Sequence, residues 1–291
     1  MSTVAIVLVI LSAAMHAGRN YLTKKATDKQ AFVWWYEVVG LVLFTPLFLV
    51  YFPAASLASI PVWSFILVSG LLHFLYWVLL TKALETGDLS LVYPIMRSSP
   101  ALVLLFSIFV LNEAVSPQGV AGILLVALGS YTINMQRLSV TELVRPLRAL
   151  FHDRAIQFAF LTLVSVASYS LVDKVAVSHI HPVIFAYVYP WFSMLLFSGY
   201  LSRHKTKGEI KNEWQKNRAT ILVCGFLSIF GYFLILMAFT IDRVSYIVGL
   251  RQLSIVFAVL LGGYALEEKH LGMRFTSASI IFVGTFLIAF G

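Results

Sequence analysis

Charge is scarce in this sequence, and cysteine is nearly absent. Acidic and basic residues together supply 12% of the chain, against roughly 25% in an ordinary soluble domain, which excludes an extensive solvated surface. A single cysteine, Cys224, excludes an intramolecular disulfide and any metal cluster built on cysteine. There is no glycine-rich phosphate loop, no zinc-ligand spacing and no catalytic-triad order. The polar connectors are too short for a nucleotide-binding domain, so no ATP-driven step, cofactor or metal is expected. The N-terminal MSTVAIVLVILSAAMHAGRN lacks a basic leader and stays apolar beyond a short signal core, so it is expected to remain as a first helix.

Hydrocarbon is what the chain has in abundance. Of its 291 residues 60% are hydrophobic, and the mean hydropathy is +0.89. Apolar runs, each near the ~20 residues that a spanning helix needs, recur at 3–23, 32–52, 61–82, 89–111, 117–135, 155–173, 182–201, 219–240, 244–266 and 273–290. They are continuous rather than alternating, which favours helices over a barrel. The expected fold class is an all-α polytopic membrane protein with ten transmembrane helices.

A net charge of +8 would suit a nucleic-acid partner in a soluble protein. Here the basic residues sit between apolar runs and read as orientation signals, so no nucleic acid is expected. Lys24, Lys25, Lys29, Lys82, Lys269, Arg274 and the connectors 136–154 and 202–218 put most of the basic charge on one side, against Lys174 and Arg243 on the other. The positive-inside rule then places the basic loops in the cytoplasm and both termini outside, in a cell (inner) membrane.

A shift of 155 residues aligns 70–133 with 225–288 without a gap, pairing Gly70 with Gly225, Ser90 with Ser245, Glu113 with Glu268 and Gly129 with Gly284. The N-terminal parts match near an offset of 153, with Asn20 against Asp173. This implies two five-helix repeats over 1–137 and 154–291, joined by a basic cytoplasmic connector at 138–153. Five is odd, so the second copy enters the membrane in the opposite sense. Inverted repeats are a common transporter architecture, with the substrate site where the halves meet.

The stretches MHAGRNYLTKK, LSLVYPIMRSSP, LNEAVSPQGVAGILLVALGSY and LEEKHLGMRFTSASIIFVGTF resemble the drug/metabolite transporter superfamily, and its EamA-type branch in particular. The resemblance covers nearly the whole chain. It implies a metabolite or drug carrier, often an amino-acid exporter, with a cavity between the repeats. Arg19 departs from the tryptophan usual at that position.

Ionisable residues inside a span mark candidate sites, since each costs at least roughly 2.5–3.5 kcal/mol at a helix centre. Arg97 lies about nine residues into the fourth run, between Pro94 and Pro100, which are expected to break the helix beside it. It either contacts substrate, together with Ser99, or pairs with a carboxylate. Arg251 and Gln252 fall near the equivalent position of the ninth run, and two guanidiniums suit a carboxylate or phosphate. Trp77, Tyr169 and Tyr232 are candidate stacking walls, with Trp77 and Tyr232 coinciding under the shift. Glu37 and Arg19 are expected to share a depth, as an ion pair or as a coupling site, with His16 and His73 as proton relays or packing residues. Glu113 and Glu268 close matching helices and read as capping or interface residues.

The expected function is a secondary active exporter of an amino acid or related zwitterion working by alternating access, not an enzyme. Its partners are a small-molecule substrate, the lipid bilayer and a coupling proton. The alternatives are an importer of an organic or phosphorylated anion such as a phosphonate, and more remotely a lipid-handling membrane enzyme. Gly119, Gly122 and Gly129 permit close packing within the fold or in a homodimer.

Overall fold

The computed structural model describes residues 1–24, 26–52, 60–87, 89–133, 135, 140–265 and 271–291. These form helices and, among the described residues, no strand: α1 Thr3–Lys24, α2 Lys29–Tyr51, α3 Ile60–Thr86, α4 Leu89–Arg97, α5 Ser99–Leu111, α6 Pro117–Thr132, α7 Val140–Ala149, α8 Arg154–His179, α9 Pro182–His204, α10 Lys207–Ile241, α11 Val244–Leu250, α12 Leu253–Ala265 and α13 Leu271–Phe290. Helix occupies each of the ten predicted intervals. Eight stretches are long and apolar enough to cross a bilayer. The other two intervals hold α6, of 16 residues, and the interrupted pair α11–α12. Large apolar side chains such as Val42, Leu49, Phe109, Leu195 and Phe286 are exposed on the exterior, a surface that suits lipid and would aggregate in water.

Local chemistry sets where the helices begin. Asp28 accepts from the backbone N–H groups of Gln30 and Ala31 at the start of α2, and Asp153 does the same for Ala155 and Ile156 at the start of α8. Thr206 and Glu209 form a capping box that starts α10 twelve residues before the predicted span. Those early turns are held by Trp214, whose ring lies 4.7 Å from that of Trp35. The connector at 138–153 is itself partly helical, as α7.

Helix direction alternates between two ends of the molecule. At one, the Met1 ammonium donates to the Ala289 carbonyl at 3.2 Å, and Ser2 N donates to Asp242 Oδ2. At the other, which carries the basic connectors, Lys205 Nζ lies 2.7 Å from Asp28 and Asp28 N donates to Glu213. α1 runs from the terminus end to the basic end, while α8, which opens the second repeat, runs the opposite way. The two copies are inverted.

The repeats interlock, with α3 against α8, α1 and α2 against α10, and α6 against α13. A Cβ on Gly122 would come within 2.7 Å of the Gly284 carbonyl, and one on Gly284 within 2.7 Å of the Gly122 carbonyl. Glycine at both positions is what lets α6 and α13 touch backbone to backbone. Gly119 abuts Tyr246 and Gly129 abuts Ile281, so this glycine face is used within the chain.

Candidate functional site

Both repeats break their fourth helix, within two residues of the same register. In the first, α4 gives way to α5 at Ser98, where Ser98 N reaches Ile95 O and Ala101 N reaches Ser98 O through tighter one-to-three bonds. Pro100, at the start of α5, has no N–H with which to continue the α4 ladder. In the second, Arg251 and Gln252 separate α11 from α12, with Gln252 N bonded to Gly249 O and Ser254 N to Arg251 O. Gly249 stands where the first repeat has Pro94, and the same break forms there without a proline.

These breaks face a cavity of about 1310 Å³, above the usual 300–1,000 Å³ of small-molecule sites. Its wall includes all the sequence-predicted site residues: His16, Arg19, Glu37, His73, Trp77, Arg97, Ser99, Tyr169, Tyr232, Arg251 and Gln252. It extends past Gln30 and Glu85 to Asp28, Lys205 and Glu209, so it reaches the basic end. The hydrogen bond of Asp28 holds the Lys205 ammonium above the usual lysine range.

The three guanidiniums predicted from the sequence are each held differently. Arg97 donates to Tyr93 OH at 2.8 Å and lies over that ring. Arg251 lies 5.4 Å from the centroid of the Tyr232 ring and lines the cavity. Arg19 donates to Ser228 Oγ at 3.0 Å and to His16 Nδ1 at 2.9 Å. Because arginine cannot accept, His16 Nδ1 must carry the lone pair. Ser228 Oγ in turn donates to Glu37 Oε1 at 2.8 Å. The expected ion pair is thus corrected to a bridge: Arg19 and Glu37 share a depth but meet through Ser228.

Aromatic rings cluster at the far side of the cavity. Tyr169 stacks on His73 at 4.1 Å, and Tyr189 and Tyr232 approach the same imidazole at 4.6 and 5.5 Å. Trp77 packs edge-on against Tyr76. Gln252 is 8% exposed, and its Oε1 has no hydrogen-bond partner among the described residues. A buried acceptor left open at a cavity wall is an unfilled position for a donor.

Two functional residues were missed by the sequence reading. Ser228 joins Arg19 to Glu37, and a serine in an apolar run carries no signal of its own. Asp173 is fully buried, and Ser69 Oγ donates to its Oδ1 at 2.5 Å. The predicted span ended at residue 173, whereas α8 runs on to His179. Its alignment with Asn20 was the one available clue.

The cavity lining takes in none of the residues at the terminus end, where the helix ends are tied together. Glu113, in the turn after α5, accepts from Val244 N at 2.7 Å and from Ser245 Oγ at 2.7 Å. It caps α11 of the other repeat, whose own N-cap Arg243 makes no side-chain cap. Lys174 Nζ donates to the Phe239 and Asp242 carbonyls beside it. Glu268 lies outside the described residues.

The sequence profile of the EamA-like transporter family matches residues 3–135 and again 153–290. No curated protein matches the chain. A solved structure described as "Crystal structure of protein" is similar to it with a TM-score of 0.73 and 16% identity, covering 100% of this chain and 98% of that one. At that identity the likeness concerns the fold.

Proposed function

Because the chain belongs to the EamA-like transporter family, we propose that it carries a small zwitterion, an amino acid or close relative, outward across the membrane by alternating access. The observation that supports this most is the convergence of Arg97, Arg251 and Glu37 with an open Gln252 acceptor in one aromatic-walled cavity. Arg97 and Arg251, one from each repeat, hold the substrate carboxylate, since a guanidinium offers two parallel donors to it. Gln252 Oε1 accepts from the substrate ammonium, and Glu37 balances its charge from the α2 side. Trp77, Tyr169 and Tyr232 stack on the remainder of the molecule, and Ser99 lines the break beside Arg97.

Among the intramembrane residues singled out from the sequence, three arginines, Arg19, Arg97 and Arg251, stand in the wall with one carboxylate, Glu37, which favours a second reading, the import of an organic or phosphorylated anion. Flux measurements in proteoliposomes separate the two. Saturable efflux of labelled zwitterions is the expected result. Uptake of phosphonates or organic acids with no zwitterion flux moves the assignment to the second reading. Turnover of a lipid-linked substrate without net flux overturns both.

A further inference from the structure

Asp173 lies directly behind the far wall of the cavity, on α8, with 0% exposure. Ser69 Oγ donates to Oδ1 at 2.5 Å, and Tyr232 OH donates to Oδ2. His73 Nε2 stands 3.8 Å from Oδ2. The other nitrogen of that ring settles the tautomer: His73 Nδ1 is 2.9 Å from the Ser69 carbonyl, which can only accept, so Nδ1 carries a hydrogen. In the neutral ring Nε2 then carries the lone pair, 3.8 Å from a carboxylate oxygen. Two facing acceptors in a buried site are reconciled when one proton sits on either of them.

We propose that Asp173 and His73 form the proton-binding pair through which this carrier responds to a pH gradient. The proposal deepens the transport reading and rests on it. The step is the reversible transfer of one proton from solvent to the pair, with no other bond made or broken.

The surroundings distinguish Asp173 from Glu37. Protonating Glu37 would neutralise the carboxylate that the bridge through Ser228 sets against Arg19 and leave a buried guanidinium without its counter-charge. Asp173 has no such partner to lose. Among the described residues its ion-pair contact is His73, a group that itself exchanges a proton. The other groups facing the pair are Tyr189 from α9, Tyr232 from α10 and Tyr169 from α8 itself. At the end of α11, Arg251 lies over the Tyr232 ring, within electrostatic reach of His73. From α4 and α5 come Arg97, bonded to Tyr93, and the neutral Ser99. Lys174 points away, to carbonyls of the α10 end.

The same geometry connects the proton to substrate. Tyr232 holds Asp173 with its hydroxyl and carries Arg251 over its ring. A proton on Oδ2 weakens the acceptor of the phenol and loosens the ring on which Arg251 rests. Proton occupancy is thereby felt at a guanidinium that faces the cavity.

The test is reconstituted wild type, Asp173→Asn, His73→Gln and Glu37→Gln, each assayed for substrate exchange without a gradient and for flux with an imposed pH gradient. Asp173→Asn is expected to keep exchange, lose the stimulation by the gradient and show a flattened pH profile, and His73→Gln to shift the midpoint of that profile. If Asp173→Asn does not fold, as judged by tryptophan-fluorescence melting, Ser69→Ala takes its place and is expected to move the midpoint with exchange retained. A full gradient response in Asp173→Asn, an unmoved midpoint in Ser69→Ala, or loss of the response in Glu37→Gln alone overturns the assignment. Absence of zwitterion exchange in wild type instead overturns the transport reading, and the same comparison is then run with whichever anion is carried.

Discussion

Arg97 is anchored by a neighbour on its own helix, the Tyr93 hydroxyl at 2.8 Å, which leaves the rest of its guanidinium fork for a ligand. Arg97→Gln is therefore expected to abolish substrate flux in proteoliposomes while the melting temperature of the purified carrier is retained. Arg97→Lys should rescue poorly, because an ammonium presents no bidentate face to a carboxylate. Ser228→Ala acts on stability: it removes the shared partner of Arg19 and Glu37 and should cost about 1–3 kcal/mol, read as a lower unfolding midpoint in detergent. The arginines and Glu37 were legible in the sequence because an ionisable group in an apolar run is itself a signal. Ser228 and Asp173 were not. The first is an ordinary residue, and the second, next to Lys174, reads as a helix end until the length of α8 is known.

At the scale of elements, the break beside Arg97 was readable from Pro94 and Pro100, while the break at Arg251–Gln252 was not, since no proline marks it. There the chain tightens at Gln252 N to Gly249 O and Ser254 N to Arg251 O, and no local residue pattern announces it. The α6–α13 contact depends on glycine, so Gly284→Leu, driven against the Gly122 carbonyl, should destabilise the carrier by at least about 1–3 kcal/mol and appear as loss of the monodisperse peak in size-exclusion chromatography. The Lys205–Asp28 contact ties the start of α2 to the end of α9. The folded-state lysine value lies above its ordinary 10.5, so the contact stabilises fully below that pH and is lost as pH rises through the folded value. An ion pair this exposed is worth roughly 0.2–1 kcal/mol. Hydrogen exchange at residues 26–31 should therefore accelerate in strong alkali, and in Lys205→Met already at neutral pH.

For the whole molecule, the cavity reaches the basic end while its lining takes in none of the terminus-end residues around Glu113 and Asp242, the asymmetry that the proposed alternating access between inverted repeats requires. Glu113→Gln weakens the packing at the terminus end by removing the charge that caps α11. An Ile247→Cys reporter, buried on α11, is expected to react faster with an impermeant maleimide in the Glu113→Gln background than in the parent. Equal rates would show that this packing does not depend on Glu113.

The sequence by itself determined the solvent of this protein, its helices, its repeat and several of the charged and aromatic side chains in its cavity. Each of those follows from composition and from periodicity along one chain, because hydrocarbon runs must span lipid and stranded charges must face one another or water. Only the tertiary structure decided that Arg19 reaches Glu37 through Ser228, that Gln252 Oε1 stands open and that Asp173 lies behind His73. Those relations join α1, α2, α3, α8 and α10, which are distant in sequence. Their geometry is set by how closely two inverted repeats pack, and no local pattern encodes it.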